Sequence, residues 1–152
     1  MYLKSLTLEN IKCFQRAQLD FTPGSDGSYA GWHVLLGVNG TGKSTLLQAM
    51  ALAMLGPISG GRLLQLPASW VRTGQGYGCV QAELKHNVNL DSISTGQPRR
   101  TPYAARLYVS GGQAVSVAGL DLVQPQVVAD PKLARSLNTG PYSGRHGWFS
   151  AG

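Results

Sequence analysis

Apolar and polar side chains alternate at strand period over several stretches, and that alternation lays out most of the chain. In residues 2–9, Tyr2, Leu6 and Leu8 fall on one side and Ser5, Thr7 and Glu9 on the other, the pattern of a strand with one buried face. Ala17, Leu19 and Phe21 repeat it against Arg16, Gln18 and Asp20. The two segments are expected to pair antiparallel through residues 10–15. The turn-forming run TPGSDGSYAG at 22–31 reads as a loop before a short buried strand, His33-Val34-Leu35-Leu36. From Thr45 to Leu55 the chain is apolar on nearly every side, as in a helix packed between a sheet and further cover, and Gly56-Pro57 supplies a stop.

Residues 56–78 hold too many Gly and Pro for one long element, and predict a loop with a helical turn near 68–71. Val80, Ala82 and Leu84 then alternate with Gln81, Glu83 and Lys85, giving another strand over 79–86. A polar loop follows at 87–102. Ala105, Leu107 and Val109, then Gly111-Gly112, then Val115 and Val117, predict a hairpin about a Gly-Gly turn. Beyond Pro125 the pattern weakens, and NTGPYSGRHGWFSAG commits to no element.

Between the apolar strand and the apolar helix lies LLGVNGTGKSTLLQAM, in which Gly37, Gly42, Lys43 and Ser44 fit the phosphate-loop spacing G-x-x-x-x-G-K-[ST]. Such a loop turns its backbone N–H groups inward onto a polyphosphate, and Gly37, Gly40 and Gly42 allow the close, curled main chain that this needs. Lys43 supplies a mobile cation for the β- and γ-phosphates. The Ser44 hydroxyl is placed to coordinate Mg²⁺, and Thr45 opens a helix whose positive end faces the anion. Asn39 and Thr41 complete the loop. No Asn-Lys-x-Asp-like run that would read guanine is present, so ATP is the expected nucleotide.

Composition narrows the setting. The chain has 152 residues, one domain's length, and 43% hydrophobic residues suffice for a core. No apolar run reaches the roughly 18 residues of a membrane span, and Met1-Tyr2-Leu3-Lys4-Ser5 lacks a signal peptide's apolar core. A cytoplasmic protein without a membrane partner is expected. Thirteen Lys and Arg against seven Asp and Glu give +6, which favours polyanions and keeps nucleic acid open as a partner. Cys13 and Cys79 show no metal-ligand spacing and read as free thiols.

The order LKSLTLENIKCF, second strand, WHVLLGVNGTGKSTLLQAMALAML, WVRTGQGYGCVQAEL resembles the N-terminal lobe of ABC-type, AAA-labelled P-loop ATPase heads of the RecF, OLD and structural-maintenance-of-chromosomes (SMC) kind. The resemblance is strongest over residues 1–86. It implies an α/β P-loop NTPase fold, in which a core sheet carrying the phosphate loop meets a smaller antiparallel sheet. It also implies ATP and Mg²⁺ as cofactors, and two heads that dimerise on ATP. Asn10-Ile11-Lys12-Cys13-Phe14 maps onto a segment lying beside the nucleotide in such heads, which implies that Lys12 touches it; the other reading is an exposed hairpin lysine. Arg72 in VRTG is either a residue facing a partner or nucleic acid, or a solvated one.

Hydrolysis needs groups beyond the loop: a carboxylate to anchor Mg²⁺ and a residue to orient water. No two acids are adjacent anywhere. Asp121, the nearest candidate, follows a run broken by Gly119 and reads as a turn aspartate. Ser110-Gly111-Gly112-Gln113 matches the core of the ABC signature LSGGQ, but Ala114 to Ala118 alternates at strand period instead of opening a helix. The expected whole is therefore an ATPase head of which this chain is one ATP-binding lobe, a fragment completed by a missing C-terminal lobe or a second head. A nucleotide-responsive binding module without turnover is the alternative, and a small-molecule kinase a weaker third.

Overall fold

The computed structural model describes residues 2–21, 23–25, 31–85 and 103–133. The polar loop expected at 87–102 and the segment 138–152 lie outside the described residues.

Strands β1 (Tyr2–Ile11) and β2 (Phe14–Asp20) form the expected antiparallel hairpin, with Leu6 opposite Leu19 and Leu8 opposite Ala17. Helix α1 spans Lys43–Leu63. Gly56 inside it has φ 76 and ψ −178, so the Gly56-Pro57 stop does break the helix, but the chain resumes helical form for a further turn or two instead of passing into a loop. A 3-10 turn at Pro67–Trp70 occupies the place where a helical turn is expected. β3 (Tyr77–Lys85), β4 (Tyr103–Gly111), β5 (Val115–Val117), β6 (Leu120–Leu122) and β7 (Pro125–Ala129) follow.

Five strands make one antiparallel sheet in the order β2-β1-β3-β4-β7, and β5 and β6 make a second, two-stranded sheet. The architecture is thus mixed α/β, with α1 on one face of the larger sheet. There Leu6, Leu8, Val80, Ala82, Leu107 and Val109 pack with Ala49, Leu52 and Ala53 of the helix and with Trp70 in one buried cluster. The small sheet covers the other face, where Leu122 and the partly buried Val115, Val117 and Leu120 pack on Cys79 and Tyr108. Among the described residues no helix is long and apolar enough to cross a membrane.

Three local expectations are corrected. The Gly111-Gly112 hairpin does not form, because β4 continues through Gly111 to pair with β7, opposite Pro125. β5 pairs instead with β6, about Ala118 (φ 54) and Gly119 (φ 79), the two consecutive positive φ values of a hairpin turn whose twist suits its strands. Asp121 is accordingly a strand residue of β6 and not a turn aspartate. Finally, residues 33–36 take no strand assignment: Val34 is 74% and Leu36 89% exposed.

On the face under the small sheet, the nearly buried Asp130 carboxylate accepts from the Arg106 guanidinium at 3.3 Å, the Tyr108 hydroxyl at 3.2 Å and the Lys132 N–H at 2.8 Å. Beside this cluster, burial pushes the Cys79 thiol from the ordinary 9.0 up to about 12; Arg106 opposes that rise, while Glu9 and Asp130 add to it. An acid whose folded-state pKa is raised holds its proton where the unfolded chain has lost it. Its stabilising contribution is therefore intact below pH 9 and is lost progressively as pH rises from 9 toward 12. In denaturant titrations, unfolding free energy should fall through this window by up to about 1.4 kcal/mol per pH unit on account of this thiol. A Cys79→Ala variant should show a shallower fall. The exposed Cys13, by contrast, should react with thiol reagents in the folded protein while the buried Cys79 does not.

Candidate functional site

The phosphate-loop segment runs from the end of the extended chain at Val38 into the first turn of α1. Gly42 caps the helix with φ 93 and ψ 11, a left-handed conformation, and no side chain bonds back to cap it. The first N–H groups of any helix lack partners within it, and here no capping side chain competes for them. Residues of this first turn line a cavity of about 380 Å³ whose lining is Lys12, Cys13, Asn39, Gly40, Gly42, Lys43, Ser44 and Thr45.

The loop is tied to itself by its own side chains. The Lys43 ammonium donates to the carbonyl oxygens of Gly37 at 2.6 Å and Val38 at 2.7 Å. The Thr41 hydroxyl donates to the Val38 carbonyl at 2.8 Å. Lys43 thus arcs across the loop with its charge exposed at the surface. Asn39, Gly40, Gly42, Lys43, Ser44 and Thr45 line the cavity, whereas Gly37 and Thr41 do not and lie against each other, an added Cβ at Gly37 falling 2.8 Å from Thr41 Oγ1. Thr45 is buried, and Gly42 packs so closely on the β1–β2 turn that an added Cβ would lie 2.5 Å from Phe14 Cζ and 2.8 Å from Cys13 Sγ.

Lys12 comes to the same cavity from the opposite side, carried by that turn. Its φ of 47 and the φ of 52 at Asn10 are left-handed. The Arg72 guanidinium donates to the Cys13 carbonyl at 3.0 Å. Sequence reasoning missed Cys13 as a wall of the cavity. The only available signal was its position directly after Lys12, since a lone cysteine carries no spacing of its own.

The chemistry of this donor set suits a polyphosphate. Lys12, Lys43, Ser44 and the first turn of the helix line one cavity, and among the described residues no carboxylate lines it. Among the described residues there is no group of three or more His, Cys, Asp or Glu able to hold a metal. Ser110 is fully buried and its Oγ accepts from the Gly112 N–H at 3.1 Å, so the SGGQ run ends a strand and opens no helix.

Comparison with known proteins gives a family and a fold. Residues 5–118 match the family model of an AAA domain. The chain is 32% identical over 84 residues to the Septu protein PtuA of Bacillus mycoides, a match covering 55% of this chain and 12% of that protein. It is 31% identical over 153 aligned positions to the DNA replication and repair protein RecF of Deinococcus deserti, covering 99% of this chain and 37% of RecF. The chain therefore spans well under half the length of the curated relatives it matches. Among solved structures, an SMC ATPase studied for ATP-driven dimerization and DNA-stimulated activation superposes with a TM-score of 0.55 at 14% identity, over 91% of this chain and 79% of the other. The chain belongs to the AAA domain family, and its fold is similar to that of an SMC ATPase.

Proposed function

We propose that this lobe binds ATP with Mg²⁺ through its Walker A loop, Gly37 to Thr45, within a larger ATPase head. The observation that carries the reading is the cavity itself. Backbone donors of a left-handed Gly42 cap, Lys43, Ser44 and, from the β1–β2 turn, Lys12 surround one space of about 380 Å³. Lys43 would exchange its two carbonyl partners for β- and γ-phosphate oxygens. Ser44 would add its hydroxyl to the Mg²⁺ shell, and the bound ion would supply charge neutralisation on the phosphates.

No two acids are adjacent in the sequence and none of the described strands ends in a pair of them, so turnover is assigned to a second lobe or second head. The extended segment before the loop supports this. Trp32 is 99%, Val34 74%, Leu36 89% and Val38 76% exposed, whereas a run apolar on consecutive positions is characteristic of a strand buried on both faces. Such a run would suit a strand of a parallel sheet, and the strand pairs among the described residues are antiparallel. ATP-driven dimerization and DNA-stimulated activation, properties of the SMC ATPase with this fold, are carried over here as proposals, to which the +6 charge adds support for nucleic acid.

A nucleotide-responsive binding module is the second reading, favoured by the lack of a carboxylate at the cavity. Two assays separate the readings: a nucleotide titration with and without Mg²⁺, and phosphate release by the chain alone and after addition of the downstream lobe of the same head. Saturable MgATP binding with release only in the presence of that lobe supports the head. Binding with no release in either case supports the module, and no binding rejects both.

A further inference from the structure

Lys12 is held from behind by a stretch of chain outside the phosphate loop. Its N–H donates to the Trp70 carbonyl at 2.8 Å, and its ammonium lies 4.9 Å from the centroid of the Trp70 ring. Trp70, at 4% exposure, ends the 3-10 turn and is part of the core under α1. The next two residues continue the clamp. Val71 bridges to Ile11, and Arg72 donates its N–H to the Asn10 carbonyl at 2.9 Å and its guanidinium to the Cys13 carbonyl at 3.0 Å. Residues 70–72 thus hold each of residues 10–13.

The grip has something to hold in place. Asn10 and Lys12 both sit at positive φ, a region that L-residues enter at a cost and keep only where the surroundings over-determine them. That backbone aims the Lys12 side chain across Trp70 into the cavity shared with Lys43 and Ser44. A free lysine side chain samples many rotamers, and one laid on an aromatic face is drawn to the ring's negative quadrupole. A core indole therefore anchors a surface cation.

We propose that Trp70 is a positioning residue of the nucleotide site, whose indole face holds the Lys12 ammonium at the rim of the phosphate cavity before nucleotide arrives. The role rests on the reading of the loop as an ATP site. Trp70 touches no nucleotide; it acts through Lys12, by restricting where that cation can be.

The test is a double-mutant cycle on MgATP affinity with Trp70→Leu and Lys12→Met in the full 152-residue chain, with Trp70→Phe as the conservative variant. Trp70→Leu should weaken binding by about 3- to 10-fold in the parent background and leave it unchanged when Lys12 is already Met. Trp70→Phe, which keeps a ring face, should restore most of the affinity. An equal loss in both backgrounds would mean that Trp70 only supports the core, and would overturn the proposal. Should Trp70→Leu fail to fold, fluorinated tryptophans incorporated in a Trp32→Phe, Trp148→Phe background keep the packing and drain the ring's charge stepwise. Affinity should then fall with each fluorine, and a flat series would overturn the role. A nucleotide-free readout separates this proposal from the one beneath it: the ε-methylene protons of Lys12 should show an upfield ring-current shift that Trp70→Leu abolishes. If that shift is present but the parent protein gives no response to MgATP, the ATP reading falls and takes this role with it. If the parent binds MgATP and the shift is absent, Trp70 alone is refuted.

Discussion

Lys43→Ala should weaken MgATP binding by about 10- to 100-fold, the loss expected from one charge-assisted contact to phosphate of about 1.5–3 kcal/mol. Without nucleotide the ammonium is satisfied by the Gly37 and Val38 carbonyls at 2.6 and 2.7 Å. It is therefore already poised over the bend, and binding exchanges partners instead of recruiting a distant side chain. Those hydrogen bonds are exposed, so global stability should change by no more than about 0.5 kcal/mol, as for surface substitutions generally. Lys43→Arg should not restore affinity, because a planar guanidinium cannot replace a compact ammonium between two converging carbonyls. Competition against a fluorescent ATP analogue, with thermal unfolding in parallel, checks both halves. Unchanged affinity in Lys43→Ala would mean that the lysine only ties the loop.

Gly42→Ala should damage fold and site together. The residue sits at φ +93, and an added Cβ would meet Phe14 Cζ at 2.5 Å, Phe14 Cε2 at 2.6 Å and Cys13 Sγ at 2.8 Å. Backbone strain of about 1–3 kcal/mol and overpacking of similar size combine to roughly 2–5 kcal/mol, which for a chain of this length lowers the melting temperature on the order of 10 °C. Gly40→Ala is the informative control. Gly40 also has a positive φ, +85, but an added Cβ meets nothing within 4 Å, so only the conformational cost applies. Calorimetry should rank Gly42→Ala clearly below Gly40→Ala, and Phe14→Leu should recover part of the gap by clearing the clash. Equal melting temperatures for the two alanine variants would show that the hairpin turn does not press on the loop.

The hairpin, β3 and the loop were legible because their signals are local. Period-two alternation places Leu6 and Leu8 in the core and pairs them with Leu19 and Ala17, and the spacing from Gly37 to Ser44 marks a bend that the structure does form. Signals that depend on a partner were not legible. An apolar run such as residues 33–36 states what a segment needs to bury, not whether the cover is present, and here Leu36 is left 89% exposed. The small hairpin was placed too early because Gly111-Gly112 has the composition of a turn, while the true turn begins with Ala118, a residue that announces no positive φ. The helical turn after Pro57 escaped for a related reason. Proline ends a helix that precedes it but is well suited to the first turn of one that follows. Within the candidate site, the loop residues followed from spacing, Lys12 from resemblance alone, and Cys13 and the Trp70–Arg72 clamp only from three-dimensional proximity.

The central claim is that the main-chain amides from Val38 to Thr45 encircle the terminal phosphates of a nucleotide. Amide NMR spectra recorded during titration with MgATP test it most directly, because each N–H of the loop reports separately. The account predicts saturable downfield shifts centred on Gly40, Gly42, Lys43, Ser44 and Thr45, much reduced when Mg²⁺ and nucleotide are added to Lys43→Ala. Spectra in which these amides stay fixed while the nucleotide is in excess, or in which the shifts cluster elsewhere on the sheet, would contradict it.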